Sequence, residues 1–110
     1  MDFPADFDAD KFLGPHREKY GTGEVAAVMT AMGPAAFRGP TSGEYARVKA
    51  MAQNPAERAS AAKTLCLICV LDPAREVFAS WIDKKPGIVD VCDDPIFELA
   101  GVDKSAAVKK

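Results

Sequence analysis

The stretch 35-AAFRGPTSGEYARVKAM-51 passes from strand grammar to helix grammar within a few residues. Phe37 and Arg38 read as the end of a strand, and Gly39 and Pro40 stop it, because proline cannot donate to a ladder. Thr41 then offers a side-chain oxygen to the first free amides of a helix. Glu44, three residues on, completes a capping box. Tyr45, Val48, Met51 and Ala52 recur at helical spacing, so this helix lays one face on a core.

Upstream, 24-EVAAVMT-30 is β-branched and apolar, and Gly21 and Gly23 precede it. Met32, Gly33 and Pro34 read as a turn and 35-AAFR-38 as a second short strand, which together make a β-hairpin. A hairpin by itself is marginal in water, so this one must lie on helices or pair with the edge of another chain. Residues 1–20 differ in character. Asp2, Asp6, Asp8 and Asp10 alternate with Phe3, Phe7 and Phe12, and Pro4, Gly14 and Pro15 interrupt any period. They are expected to form an acidic-aromatic arm, loosely docked or offered to a partner's groove.

Downstream, polar residues followed by proline recur at Asn54-Pro55, Asp72-Pro73 and Asp94-Pro95, each read as a helix start. The helix from residue 54 runs into 65-LCLICVL-71, seven apolar residues without a charge, and is expected to be the central buried element. The next carries Ala74, Val77, Phe78, Trp81 and Ile82 on one stripe. Lys85, Pro86 and Gly87 break the chain before Ile88, Val89 and Cys92, and a last turn from Asp94 carries Phe97 and Leu99 to Gly101. The expected architecture is α+β and helix-dominated: a short hairpin, then four to five short helices. Residues 21–102 form a single domain between the arm and a polar tail, 103–110.

At 110 residues the chain is one domain with a modest core. A formal charge of −2 and a pI near 5.3 give no basic footprint for nucleic acid. No apolar run approaches the roughly 18 residues of a membrane span. The acidic N-terminus is unlike a secretory signal, and three cysteines make an odd set in apolar surroundings; a reducing cytosol is expected.

The pair 66-CLIC-69 has the spacing of a redox dithiol or half a zinc site. Both cysteines fall late in an apolar helix, away from the helix N-terminus that activates a thiol. Only Cys92 and the lone His16 remain as further ligands, so no metal or cofactor is expected and the thiols read as packing. His16 stands in the polar 14-GPHREKYG-21 without a neighbouring nucleophile. Asp93 and Asp94 are adjacent in sequence, whereas acid–base work needs two carboxyls in different environments converging on a cleft. Gly21 and Gly23 lack the third glycine and following helix of a phosphate loop. These readings favour a binding protein over an enzyme.

Three segments, 36-AFRGPTSGEYARV-48, 65-LCLICVLDP-73 and 81-WIDKKPGIVDV-91, followed by 97-FELAG-101, carry a family resemblance. An aromatic-Arg-x-Pro-Thr strand end, an acidic-aromatic helix start, an apolar cysteine-containing run before proline and a later Pro-Gly resemble the small tail assembly chaperones of tailed phages and prophages. The alanine-rich strands and the acidic-aromatic arm depart from that pattern. The resemblance implies a non-catalytic protein of the infected or lysogenic host's cytoplasm. It would bind the tape-measure protein, the major tail protein or both, and hold them soluble until the tail assembles, with homo-oligomers possible. Phe37, Arg38, Tyr45, Arg47 and Trp81 are the expected partner contacts, although core packing would equally employ Phe37, Tyr45 and Trp81. The alternative is a minor virion component, or a mobile-element protein that blocks a host defence complex through its arm.

Overall fold

The computed structural model describes residues 7–102 of the chain. The acidic-aromatic residues 1–6 and the polar tail 103–110 lie outside the described residues. Between them run α1 (Ala9–Tyr20), β1 (Val25–Thr30), β2 (Gly33–Arg38), α2 (Ser42–Gln53), α3 (Ala61–Cys69), β3 (Val70–Asp72), α4 (Arg75–Lys84) and α5 (Ile88–Leu99), with a 3-10 turn at Arg58–Ser60 before α3. The fold is α+β, as the sequence pattern implies.

The strands form one antiparallel sheet in the order β1-β2-β3. Its two faces are covered differently, because alternate residues point to opposite sides. Val28, Ala35, Phe37 and Val70 face the main core, built with Leu65, Cys66 and Cys69 of α3, Phe78 and Ile82 of α4, and Ile88, Val89, Cys92 and Ile96 of α5. The rings of Phe37 and Phe78 meet edge to face at its centre, 5.5 Å apart. On the other face Val25, Ala27 and Ala36 pack under Phe12, Leu13 and Tyr20 of α1. Alanine at 27 and 36, a weak strand former, lets that helix approach closely.

Residues 9–20 are therefore a helix rather than a loose arm. Asp8 caps it by accepting from the Lys11 amide, 3.0 Å, and Arg17 reaches back to Asp10 at 3.0 Å. Gly21, at φ 105°, ends it and donates its N–H to the Arg17 carbonyl. Gly14 and Pro15 sit inside the helix; burial of Leu13 against the sheet outweighs the amide that proline removes.

Two further expectations are corrected. The apolar run 65–71 is not helical throughout: α3 ends at Cys69, and Val70 and Asp72 pair with Phe37 and Ala36 of β2. Of the three helix starts at proline, none opens an α-helix there. Asn54 accepts from the Ala56 amide in a turn, 3.0 Å, and α3 begins only at Ala61. Asp72-Pro73 leads to a start at Arg75, and Pro95 lies within a continuous α5. No described helix is long and apolar enough to cross a membrane.

Candidate partner-binding site

Arg38 is the last residue of β2, and three elements meet on its guanidinium. Nη1 donates to Glu44 Oε1 at 2.9 Å and to the Gly39 carbonyl at 3.0 Å. Nη2 donates to Glu44 Oε2 at 3.0 Å and to the Ile68 carbonyl of α3 at 3.2 Å. Glu44 is in turn half of the capping box: Oε1 accepts from the Thr41 amide, 2.9 Å, while Thr41 Oγ1 accepts from the Glu44 amide, 3.2 Å. The fork from Arg38 and the Thr41 amide hold the Glu44 carboxyl down to about 2. One carboxylate thus starts α2 and ties strand, helix and α3 together.

Beside this knot lies a cleft of about 350 Å³ lined by Glu44, Arg47, Thr64, Leu67, Ile68 and Arg75. Leu67 and Ile68 give it a half-buried apolar floor. Arg75 is anchored by donation from Nε to the Leu67 carbonyl, 2.7 Å. Arg47 is exposed and, among the described residues, has no carboxylate partner. The cleft therefore presents the cations of Arg47 and Arg75 and the Arg38-paired Glu44 carboxylate around apolar side chains.

The five expected contacts are distributed unevenly. Phe37 is wholly buried, with its ring edge to face on Phe78 of α4. Arg38 is engaged internally. Tyr45 is half-buried with its ring edge to face on Phe97, 6.3 Å away, so it joins α2 to α5. Trp81 is half-buried on Phe78, and its ring tip lies 3.5 Å from where a Cβ on Gly33 would stand; it seals the hairpin turn. Arg47 alone faces solvent at the cleft. Leu67 and Ile68, which complete the cleft, belong to the apolar run, while Thr64 and Arg75 carry no sequence signal besides their closeness to it.

The three cysteines are buried and free. Burial pushes the thiol of Cys69 up to about 11 and that of Cys92 up to about 12, and pushes Cys66 up as well. Such thiols hold their protons at neutral pH and pack as small apolar groups. Among the described residues no group of three or more His, Cys, Asp or Glu side chains is placed to hold a metal ion. Burial, with Asp94 beside it, raises the Asp93 carboxyl.

Comparisons with protein-family models, with curated proteins and with solved structures return no match.

Proposed function

We propose that this chain is a non-catalytic tail assembly chaperone of a tailed phage or prophage, which holds an acidic, apolar segment of a tail protein in the cleft beside Glu44. The observation that carries this reading is spatial. Two segments far apart in sequence, 36–48 and 65–73, hold the family-like motifs, and they meet at the Arg38–Glu44–Ile68 knot and supply Glu44, Arg47, Leu67 and Ile68 of the cleft, which Thr64 and Arg75 complete. The closing stretch 97–101 supports the same joint, since Phe97 packs on Tyr45 and Leu99 lies against Gly39. The motif residues serve mainly to build the platform, while Arg47 and Arg75 meet the client.

A tape-measure protein exposes long apolar stripes before assembly, and such stripes aggregate unless covered. Co-expression with a cognate tape-measure fragment tests the reading. The fragment is expected to stay in the soluble fraction and to co-purify with this chain. Unchanged client solubility with no co-purification would sink the proposal.

A further inference from the structure

Helix α4 carries a second apolar strip besides the one it buries. Phe78 and Ile82 face the core, whereas Val77, Trp81 and Lys84 recur at i, i+4 and i+7 along one flank of the helix. Val77 is 45% exposed, and Trp81 is half-buried with its ring tip beside Gly33 in the hairpin turn. Lys84 ends this flank and borders an apolar groove of about 340 Å³, which opens between Met29 and Ala31 of the hairpin and Pro86, Ile88 and Val91 at the start of α5. Val91 is 42% exposed; among the described residues it and Val77 are the most exposed large apolar side chains.

The charge on this surface has one sign. Lys84, in the last turn of α4, and Lys85, just past it, rim the groove, and among the described residues no carboxylate lines it. Neither lysine has an ion-pair partner among those residues. Glu76 and Asp83, seven residues apart on α4, share another flank about 100° round the helix. Asp90 lies in a separate hollow with Lys63. Exposed apolar side chains rimmed by charge mark a contact site.

We infer that this surface receives an amphipathic helix of a partner protein, one whose apolar stripe is flanked by carboxylates. From Val77 to Lys84 the axis of α4 rises about 10 Å, two helical turns. A partner helix lying along that flank sets one apolar residue in the groove, beside Ile88 and Val91. It sets another two turns away, over Val77 and Trp81, which is the i and i+7 spacing of helix-in-groove contacts. Its carboxylates meet Lys84 and Lys85, and the uniform sign of the rim selects against a basic segment. A second copy of this chain is a poorer occupant, because a two-fold contact through the same patch sets lysine against lysine. The groove stands at the opposite end of α4 from Arg75, so it is separate from the cleft beside Glu44 and does not rest on the client assigned to that cleft.

Trp81 is the single tryptophan, so its emission reports occupancy directly. The probe is a synthetic helix-forming peptide with leucine at i, i+4 and i+7 and glutamate on both flanks; a counterpart carries lysine in place of glutamate. Titrated into the full chain, the glutamate peptide is expected to shift Trp81 emission saturably, and the lysine peptide to leave it unchanged. Lys84→Glu with Lys85→Glu should weaken the glutamate peptide by roughly tenfold or more and admit the lysine peptide. Val91→Ser should weaken it several-fold, whereas Arg47→Glu, on the other cleft, should change nothing. All four positions are exposed, so the fold persists, which circular dichroism checks. Absence of saturable binding by the glutamate peptide overturns the inference, and so does equal binding of both peptides by the parent. Binding lost in Arg47→Glu but kept in the double lysine variant also overturns it, because the peptide then sits in the other cleft. None of these results bears on the tape-measure experiment, whose readout is client solubility.

Discussion

Arg38 and Glu44 face each other fork to fork across a tight joint, with paired contacts of 2.9 and 3.0 Å, and the same carboxylate caps the helix that follows. The relationship makes this corner of the fold sensitive to acid. Glu44 titrates at about 2 in the folded chain, below its ordinary value of 4.5, so its contribution is complete above about 4.5 and is lost as pH falls toward 2. Glu44→Gln should cost roughly 1–2 kcal/mol at pH 7 after allowance for solvent screening, and nearly nothing at pH 2. Urea titrations of both proteins at the two pH values check this. A constant difference between them would refute the assignment.

Gly39 and Gly43 sit four residues apart and should respond oppositely to alanine. A Cβ on Gly39 would come within 3.2 Å of the Leu99 Cβ and carbonyl oxygen, and backbone cannot step aside cheaply. Gly39→Ala is expected to cost about 1–3 kcal/mol. Gly43 lies inside α2 with open space around it, so Gly43→Ala should stabilise by about 0.5–1 kcal/mol. Thermal unfolding of the two variants beside the parent gives the comparison.

Phe37 belongs to the centre of the core. Phe37→Leu should cost about 1–2 kcal/mol through the lost ring contact with Phe78, and Phe37→Ala about 3–5 kcal/mol, enough to unfold a domain of this size. A client-binding defect in Phe37→Leu at a temperature where that variant is fully folded would contradict its placement.

The buried thiols should be silent toward a thiol reagent at pH 8 in the native protein and all three should react at once in denaturant. Because Cys69 and Cys92 are raised to about 11 and about 12, stability is whole below the ordinary thiol value of 9.0 and declines as pH climbs through that interval. Fast labelling of one cysteine in native buffer would show that burial is incomplete there.

Arg47 and Arg75 are the client-facing cations of the proposed cleft. Arg47→Glu should leave stability within about 0.5 kcal/mol, as for an exposed surface position, yet reduce co-purification of a tape-measure fragment. Equal recovery of the fragment with parent and variant would remove the cleft from consideration.

The joint at 37–45 was legible because its chemistry is local: a proline, a threonine and a glutamate three apart define a turn and a cap without help from the rest of the chain. Val70–Asp72 was not, since a continuous apolar run has no period to separate strand from helix, and the decision rests on pairing with Ala36 and Phe37, remote in sequence. Asp94-Pro95 misled for the opposite reason. A strong local helix-start signal is overridden where Ile88, Val89, Cys92 and Ile96 bury a continuous helical face. Of the candidate site, Arg47 was accessible to sequence reasoning, whereas Thr64, Leu67 and Arg75 acquire meaning only once α3 and α4 fold against α2.

The pairing of β3 with β2 also fixes an order of events at the ribosome. Arg38 is translated 32 residues before Val70, an interval of roughly 2–6 s at ordinary synthesis rates. Until Val70–Asp72 emerge, the nascent hairpin has one flank unzipped and lacks α4 and α5 beneath it. A stalled or truncated product ending before residue 70 would be a target for quality control, whereas the finished chain closes that flank itself.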